Sequence, residues 1–311
     1  MLCENIVIGA GTKYPLKGLL TLPDDLTAPV PGVVFVHGSG SSNMDERVGK
    51  LAPFKDLAEG LARHGVASVR YDKRTHAHGL KMVTDKKLTI TVKEEAIEDA
   101  ILAAELLRKD ARIDSGKIYI IGHSMGAMLA PRIDAEGGDF AGLVLMAGTP
   151  RKLEEVMLDQ NAAVVAESKG LVRLIMKKQV AKLEKLFGGL YDMTDEAAKK
   201  KKMGGGTTLY YFKEMGEHPV ENYLTESEKP LLVLQGEKDV QATAKVDFAA
   251  YCDMLKGKKN VSFKLYEGLN HCFVPAVSDS IMKAKQEFAK ERHIGEEVIS
   301  DIANWIKEQC V

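Results

Sequence analysis

The chain is short of the features that mark several protein classes. Its four cysteines, Cys3, Cys252, Cys272 and Cys310, are scattered through 311 residues with no C-x-x-C pair. That spacing suggests neither a zinc site nor a disulfide framework. Charge of one sign is lacking too: the formal net charge is −1, which gives no whole-chain electrostatic case for nucleic acid or an anionic membrane surface. No apolar run approaches the ~20 residues that a membrane-spanning helix needs. The opening residues, Met1 to Ile8, have no basic region followed by a long apolar stretch, so no signal peptide is expected. The expectation is a cytoplasmic protein with no nucleic-acid partner and no membrane insertion.

What is present is core material. The sequence is 45% hydrophobic and 28% charged, ample for one large α/β domain or two small ones. Residues 4–9 and 16–22 read as an antiparallel opening hairpin. Gly32 to His37 is a continuous apolar run that ends in Gly38-Ser39-Gly40, a buried strand entering a loop. Phe54 to His64 places Phe54, Leu57, Ala58 and Leu61 on one helical face, and Gly65 stands where a helix-ending glycine belongs. Strands at Val66–Tyr71, Ile118–Ile121 and Leu143–Ala147 follow, with a helix over Val92–Arg108 presenting Ile97, Ile101, Ala104 and Leu107. Strands alternating with helices imply a parallel sheet covered on both faces.

The alternation stops between about Arg151 and Thr225. No convincing strand occurs there. Val172, Ile175, Met176, Val180, Leu183 and Phe187 keep helical spacing, the lysines at 199–202 read as a solvated face, and Gly204-Gly205-Gly206 reads as a hinge or a plain flexible loop. Strands resume at Pro230–Gly236 and Val261–Tyr266, with a helix near Thr243–Leu255 between them and another closing the chain from Glu296 to Gln309. The middle segment is therefore expected to be an insertion into one domain. Its apolar residues, among them Met157, Leu171, Leu174, Met176, Leu186 and Phe187, are expected to form mostly its own core, with some lining a pocket.

Gly122-His123-Ser124-Met125-Gly126 joins a strand to a helix. A serine at such a turn sits on a strained backbone that lifts its Oγ out of the sheet, and glycine on either side avoids crowding. Serine needs a base to take its proton, and the base needs a group to orient it. On a parallel sheet, reacting groups gather beyond the C-terminal strand ends. After the strand at 231–234 come Glu237 and Asp239; after that at 261–266 comes His271. The chain order Ser124, Asp239, His271 is that of a hydrolase triad. Asp239 is preferred to Glu237, which is better placed for local capping, and His271 to His293, which lies in a charged run. His76 and His78 form an H-x-H pair without a third ligand, so a polar loop near a pocket rim is expected rather than a metal. Two backbone N–H groups should stabilise a developing oxyanion: that of Met125, and one from the loop after Val36, with Ser39 preferred to Gly38. Asp72, among Arg70, Lys73 and Arg74, is expected to belong to a charge network bracing that loop.

These motifs, taken in order, resemble the α/β-hydrolase superfamily, and most of all the bacterial dienelactone-hydrolase-like carboxylesterases. The residues that carry the resemblance are His37-Gly38-Ser39-Gly40 with Asp45-Glu46, Arg70 to Arg74, Gly122 to Gly126, Gly236 to Asp239, and Asn270-His271. It implies an α/β-hydrolase core over 1–150 and 226–311 with a helical cap over 151–225, inserted after the sixth strand. It implies Ser124 as nucleophile, Asp239 as acid and His271 as base, no cofactor, and a small-molecule ester as substrate. Dienelactone hydrolases proper use cysteine where this chain has Ser124, so lactone specificity does not carry over. A peptidase, thioesterase or acyltransferase would use the same residues, and a catalytically silent binding module would share the fold. A homo-oligomer stays open.

Overall fold

The computed structural model describes residues 1–204 and 206–310. Eight strands form one sheet: β1 (Leu2–Ile8), β2 (Leu16–Leu22), β3 (Val30–Val36), β4 (Ala67–Tyr71), β5 (Ile113–His123), β6 (Gly142–Met146), β7 (Leu231–Gly236) and β8 (Val261–Tyr266). Their order is β1-β2-β4-β3-β5-β6-β7-β8. β2 is antiparallel to both its neighbours, and β4 through β8 run parallel. The opening hairpin is thus an antiparallel edge on a parallel sheet. β5 begins five residues earlier than its apolar run, because Ile113 pairs with Val30 before Asp114 and the exposed Ser115 and Gly116 interrupt the ladder.

The helices are α1 (Pro53–Arg63), α2 (Arg74–Thr84), α3 (Glu98–Lys109), α4 (Met125–Ile133), α5 (Leu153–Glu167), α6 (Gly170–Phe187), α7 (Asp195–Lys200), α8 (Leu209–Gly216), α9 (Glu221–Leu224), α10 (Ala249–Met254), α11 (Ala284–Glu287) and α12 (Glu296–Glu308). Side chains alternate across each strand, and the two faces meet different helices. Val33, Phe35, Tyr119, Ile121, Val144 and Leu234 face α1 and α12, where Phe35 stacks on Phe54 at 4.9 Å between ring centres. Val34, Val36, Ile118, Ile120 and Leu145 face α3 and α4. Full burial of each such side chain is worth about 1.5–3 kcal/mol. The helix read over Val92–Arg108 begins with a π-helical turn at Lys93–Ile97 before α3 takes over; such wider turns often re-aim a side chain at a functional site, and here the turn carries Glu95.

Helices α5 to α9 all lie between β6 and β7. Phe187, Leu190, Leu209, Phe212 and Leu224 join the same apolar cluster as α3 and α4, so the insert shares the core of the sheet rather than building a separate one. That corrects the expectation of a core mostly of the insert's own, and a second correction concerns exposure. Leu171 and Leu174 are 72% and 59% exposed, and Val172 and Ile175 are exposed beside them; only the stripe from Met176 through Leu183 to Phe187 turns inward. Spacing alone cannot tell an inward stripe from an outward one when a helix is apolar on both. The glycine run at 204–206 falls partly outside the described residues, at Gly205.

Candidate active site

Ser124 sits between the end of β5 and the start of α4 with φ 54° and ψ −119°. A serine in that region costs of order 1–3 kcal/mol, held there by its surroundings. The flanking glycines are required by close approach. A Cβ on Gly122 would lie 2.2 Å from the Gly126 carbonyl oxygen, and one on Gly126 would lie 2.0 Å from that of Val36. The turn is locked from the other side by the Ser124 N–H, which donates to the Met146 carbonyl at 2.8 Å.

Ser124 and His271 line one cavity of about 560 Å3. His271 lies in the loop after β8, with Nδ1 2.7 Å from Asp239 Oδ2. A carboxylate only accepts, so Nδ1 carries the proton and Nε2 is left as the basic nitrogen. The Asp239 side chain is sealed from solvent. Gln235 Nε2 donates to its Oδ2 at 2.8 Å, and the N–H groups of Gln241 and Ala242 donate to Oδ1 at 2.7 and 3.1 Å. Three donors besides the histidine offset the cost of burying that charge. The two rivals lie elsewhere. Glu237 is exposed and accepts from the Gly268 N–H at 3.1 Å. His293 is exposed and pairs with Asp56 at 2.9 Å.

Ser39 lines the cavity, as does Met125. Met125 opens α4, where first-turn N–H groups have no partner within the helix. The Gly38 N–H is engaged: it donates to Glu46 Oε1 at 2.6 Å. Gly38 also passes so close to the elbow that a Cβ there would meet that of Ser124 at 3.0 Å.

Five residues given no role from the sequence hold this geometry. Glu46 is buried, and its Oε2 lies 2.9 Å from His123 Nδ1. His123 Nε2 donates to the His271 carbonyl at 2.9 Å. Burial opposes a charge on His123, but Glu46 outweighs it and raises the imidazole above its ordinary value; burial likewise opposes the charge on Glu46, and His123 together with the Gly38 N–H brings the carboxyl below its own. Lys73, fully buried, donates to the carbonyls of Gly38 and Gly40 at 2.8 and 3.0 Å and pairs with Glu95 at 2.8 Å. Tyr211, from α8, donates its O–H to Glu95 at 2.5 Å. A chain of contacts therefore runs from the inserted helices to the loop that carries Ser39. Asp72 takes a smaller part, accepting from the Met44 N–H at 2.9 Å, while Arg70 and Arg74 pair with Asp45 and Asp99. Glu46 and Lys73 stood inside motifs already marked; Glu95 and Tyr211 carry no sequence signal beyond their polarity.

His37 also braces the loop, with Nε2 donating to the Asn43 carbonyl at 3.0 Å and its ring against Phe54. Burial pushes it down to about 4, so it is neutral at ordinary pH. His76 and His78 lie on α2, not in a loop as expected. His76 reaches Ser41 at 3.4 Å and His78 the Pro15 carbonyl at 2.8 Å. The sequence there has no proline or glycine before Gly79 to mark a loop, and helix α2 simply continues through both. Burial raises the Cys272 thiol well above its ordinary range, which makes it an inert neighbour of His271.

The chain was compared with known proteins. Residues 28–275 match the hydrolase family described as serine aminopeptidase, S33. Esterase EstD of Thermotoga maritima is 33% identical over 303 residues, which are 95% of this chain; the chain spans 66% of that relative's length, just under two thirds. Est1E from Butyrivibrio proteoclasticus has a similar fold, with a TM-score of 0.61 at 18% identity over 98% of each chain. So has an esterase of Pyrococcus furiosus, with a TM-score of 0.58 at 19% identity over 99% of this chain and 91% of that one. With its sheet order, its strained serine turn and a match over most of its length, this chain belongs to the α/β-hydrolase family described as serine aminopeptidase, S33.

Proposed function

We propose that the protein is a serine carboxylesterase acting on small to medium esters. The observation that carries this reading is one cavity into which Ser124 and His271 both open, with Asp239 2.7 Å behind the histidine. Ser124 Oγ attacks the ester carbonyl carbon while His271 Nε2 takes its proton. Asp239 holds the imidazole in orientation and offsets the charge it gains. The carbonyl oxygen becomes an oxyanion, received by the N–H groups of Ser39 and Met125, each such donor being worth about 3–4 kcal/mol. The tetrahedral intermediate collapses, the alcohol leaves with the proton from His271, and an acyl-enzyme remains. Water, deprotonated by His271, attacks it; the acid departs and Ser124 regains its proton. The residues at 151–225 serve as a lid over this site, between the two core segments 1–150 and 226–311.

Esters fit the cavity better than peptides with a free amino terminus. Glu95 is the one carboxylate among the described lining residues, and Lys73 already neutralises it, so a substrate ammonium has no counter-charge. The apolar part of the lining, including Met82, Met128, Leu153, Val156 and Met157, suits an acyl chain, and methionine's flexibility tolerates more than one shape. Four free cysteines suit a reducing compartment such as the cytoplasm.

The test is labelling by a fluorophosphonate, read by mass, together with p-nitrophenyl acetate turnover. Wild type is expected to gain one adduct at Ser124. Ser124→Ala is expected to lose both the adduct and about 10⁴-fold or more of the turnover at unchanged thermal stability. A wild-type protein that takes no label would instead be a binding module on this fold.

A further inference from the structure

We propose that the outward face of α6 is a docking surface for an anionic lipid bilayer. With 3.6 residues per turn, Leu171, Leu174, Ile175, Lys178, Lys182 and Lys185 fall in one stripe along Gly170–Phe187. The apolar members stand at its N-terminal end and are 55–72% exposed; the lysines continue the same face and are exposed as well. Met282 extends the apolar end. It is exposed, and its Sδ lies 3.6 Å from Ser168 Oγ, two residues before α6 begins.

The charge on this face identifies the occupant. The stripe carries three lysines, Lys178, Lys182 and Lys185, and no acidic residue. None of the three forms an ion pair among the described residues. A whole-chain charge of −1 conceals this local excess; the nearest carboxylates along the chain are Glu184, on the other side of α6, and Glu167, which is held by the Ser280 hydroxyl and the Ile281 and Met282 N–H groups. A helix with exposed large apolar side chains and lysines beside them binds a lipid interface by burying the first and pairing the second with anionic headgroups. A second copy of the chain is a poorer fit. In a two-fold dimer the same patch faces itself, and the stripe offers its own lysines no acidic partner. No helix is long and apolar enough to cross a membrane among the described residues, so the attachment is peripheral. α6 packs on α5, whose other side supplies Leu153, Val156 and Met157 to the cavity. Docking therefore takes place on a helix that packs against one lining the cavity.

Sedimentation with vesicles tests this on the full chain. Vesicles of phosphatidylcholine alone are compared with vesicles in which about one third is phosphatidylglycerol, an anionic surface of the kind that attracts basic segments. Wild type is expected to bind the anionic vesicles at least about tenfold more tightly than the neutral ones, and to be released near 1 M NaCl, where the screening length falls to about 3 Å. The triple variants Lys178→Glu/Lys182→Glu/Lys185→Glu and Leu171→Ser/Leu174→Ser/Ile175→Ser are each expected to lose that binding about tenfold or more, at unchanged melting temperature and unchanged turnover of a short soluble ester. Equal binding by wild type and both variants overturns the proposal, as does no binding to either vesicle. So does a dimer in light scattering that the serine variant dissociates while vesicles bind nothing; the face would then belong to a second copy.

Discussion

His123 Nε2 donates to the carbonyl oxygen of His271 at 2.9 Å, while its other ring nitrogen stands 2.9 Å from Glu46. The residue just before the proposed nucleophile thus supports the backbone of the proposed base, and Glu46 links both to the loop at Gly38. Glu46→Ala leaves a buried imidazole without its counter-ion and is expected to cost about 3–5 kcal/mol of stability. The milder Glu46→Gln carries the pH test. His123 is raised in the folded state, so its contribution is complete below its unfolded value and fades as pH rises through the folded one; that of Glu46 is present above its unfolded value and fades as pH falls through its lowered one. The gap in melting temperature between wild type and Glu46→Gln should therefore be widest in mildly acidic solution and narrow towards alkaline pH. A gap that is constant from mildly acidic to alkaline pH contradicts the pairing.

His37 runs the other way. Held down to about 4 by burial, it stays neutral in the native protein while the unfolded chain takes up a proton below about 6.5. Stability should fall as pH drops from about 6.5 to about 4, by roughly 3 kcal/mol from this group alone. Denaturant titrations of wild type and His37→Gln across that range check it, with a shallower loss expected in the variant.

Lys73→Met removes the donor to the Gly38 and Gly40 carbonyls and strips Glu95 of its cation. If the loop presents Ser39 to the oxyanion, the loss belongs to the transition state. kcat is expected to drop by about 10²-fold, as when an oxyanion donor is lost, with KM little changed. Tyr211→Phe, which removes only the contact from α8, should cost less. A rise in KM at constant kcat would place Lys73 in substrate binding instead.

Met157 borders the cavity from α5. Met157→Trp should shorten the space for the acyl chain. Turnover of p-nitrophenyl octanoate is expected to fall about tenfold or more relative to the acetate, in line with the cost of misfitted methylenes. A parallel loss on both esters would mean that the chain lies elsewhere.

Much of this was legible in the sequence because its signals are local. Ile118 to Gly126 announces a strand, a turn and a helix within a few residues, and steric crowding at Gly122 and Gly126 explains why the pattern has glycines there. Asp239 and His271 could be read because the first follows an apolar run and the second an alternating segment, each of which reads as a strand. Glu95 and Tyr211 could not. They are 116 residues apart and meet only once α8 folds over the π-helical turn at Lys93–Ile97. The same limit applied to α6: periodicity showed a helix but not which of its two apolar stripes faces in, since burial is decided by α5. His76 and His78 were misplaced for a related reason, because helix α2 begins without a capping side chain to mark its start.

The pairing of β6 with β7 sets what else could stand in the place of α5 to α9. Met146 ends β6, and the chain re-enters at Leu231, which is paired with Leu143. The exit and return are thus on adjacent strands, offset along them by three residues, or about 10 Å. A replacement insert has to bridge that step, cover the apolar face beside α4 and supply one hydroxyl to Glu95. It must also pair the buried Arg132 and Asp247, whose partners Glu214 and Arg151 come from the insert, whereas Ser124, Asp239 and His271 all lie outside. Any segment that meets these demands could take the place of α5 to α9 without moving β6, β7 or the residues beyond their ends.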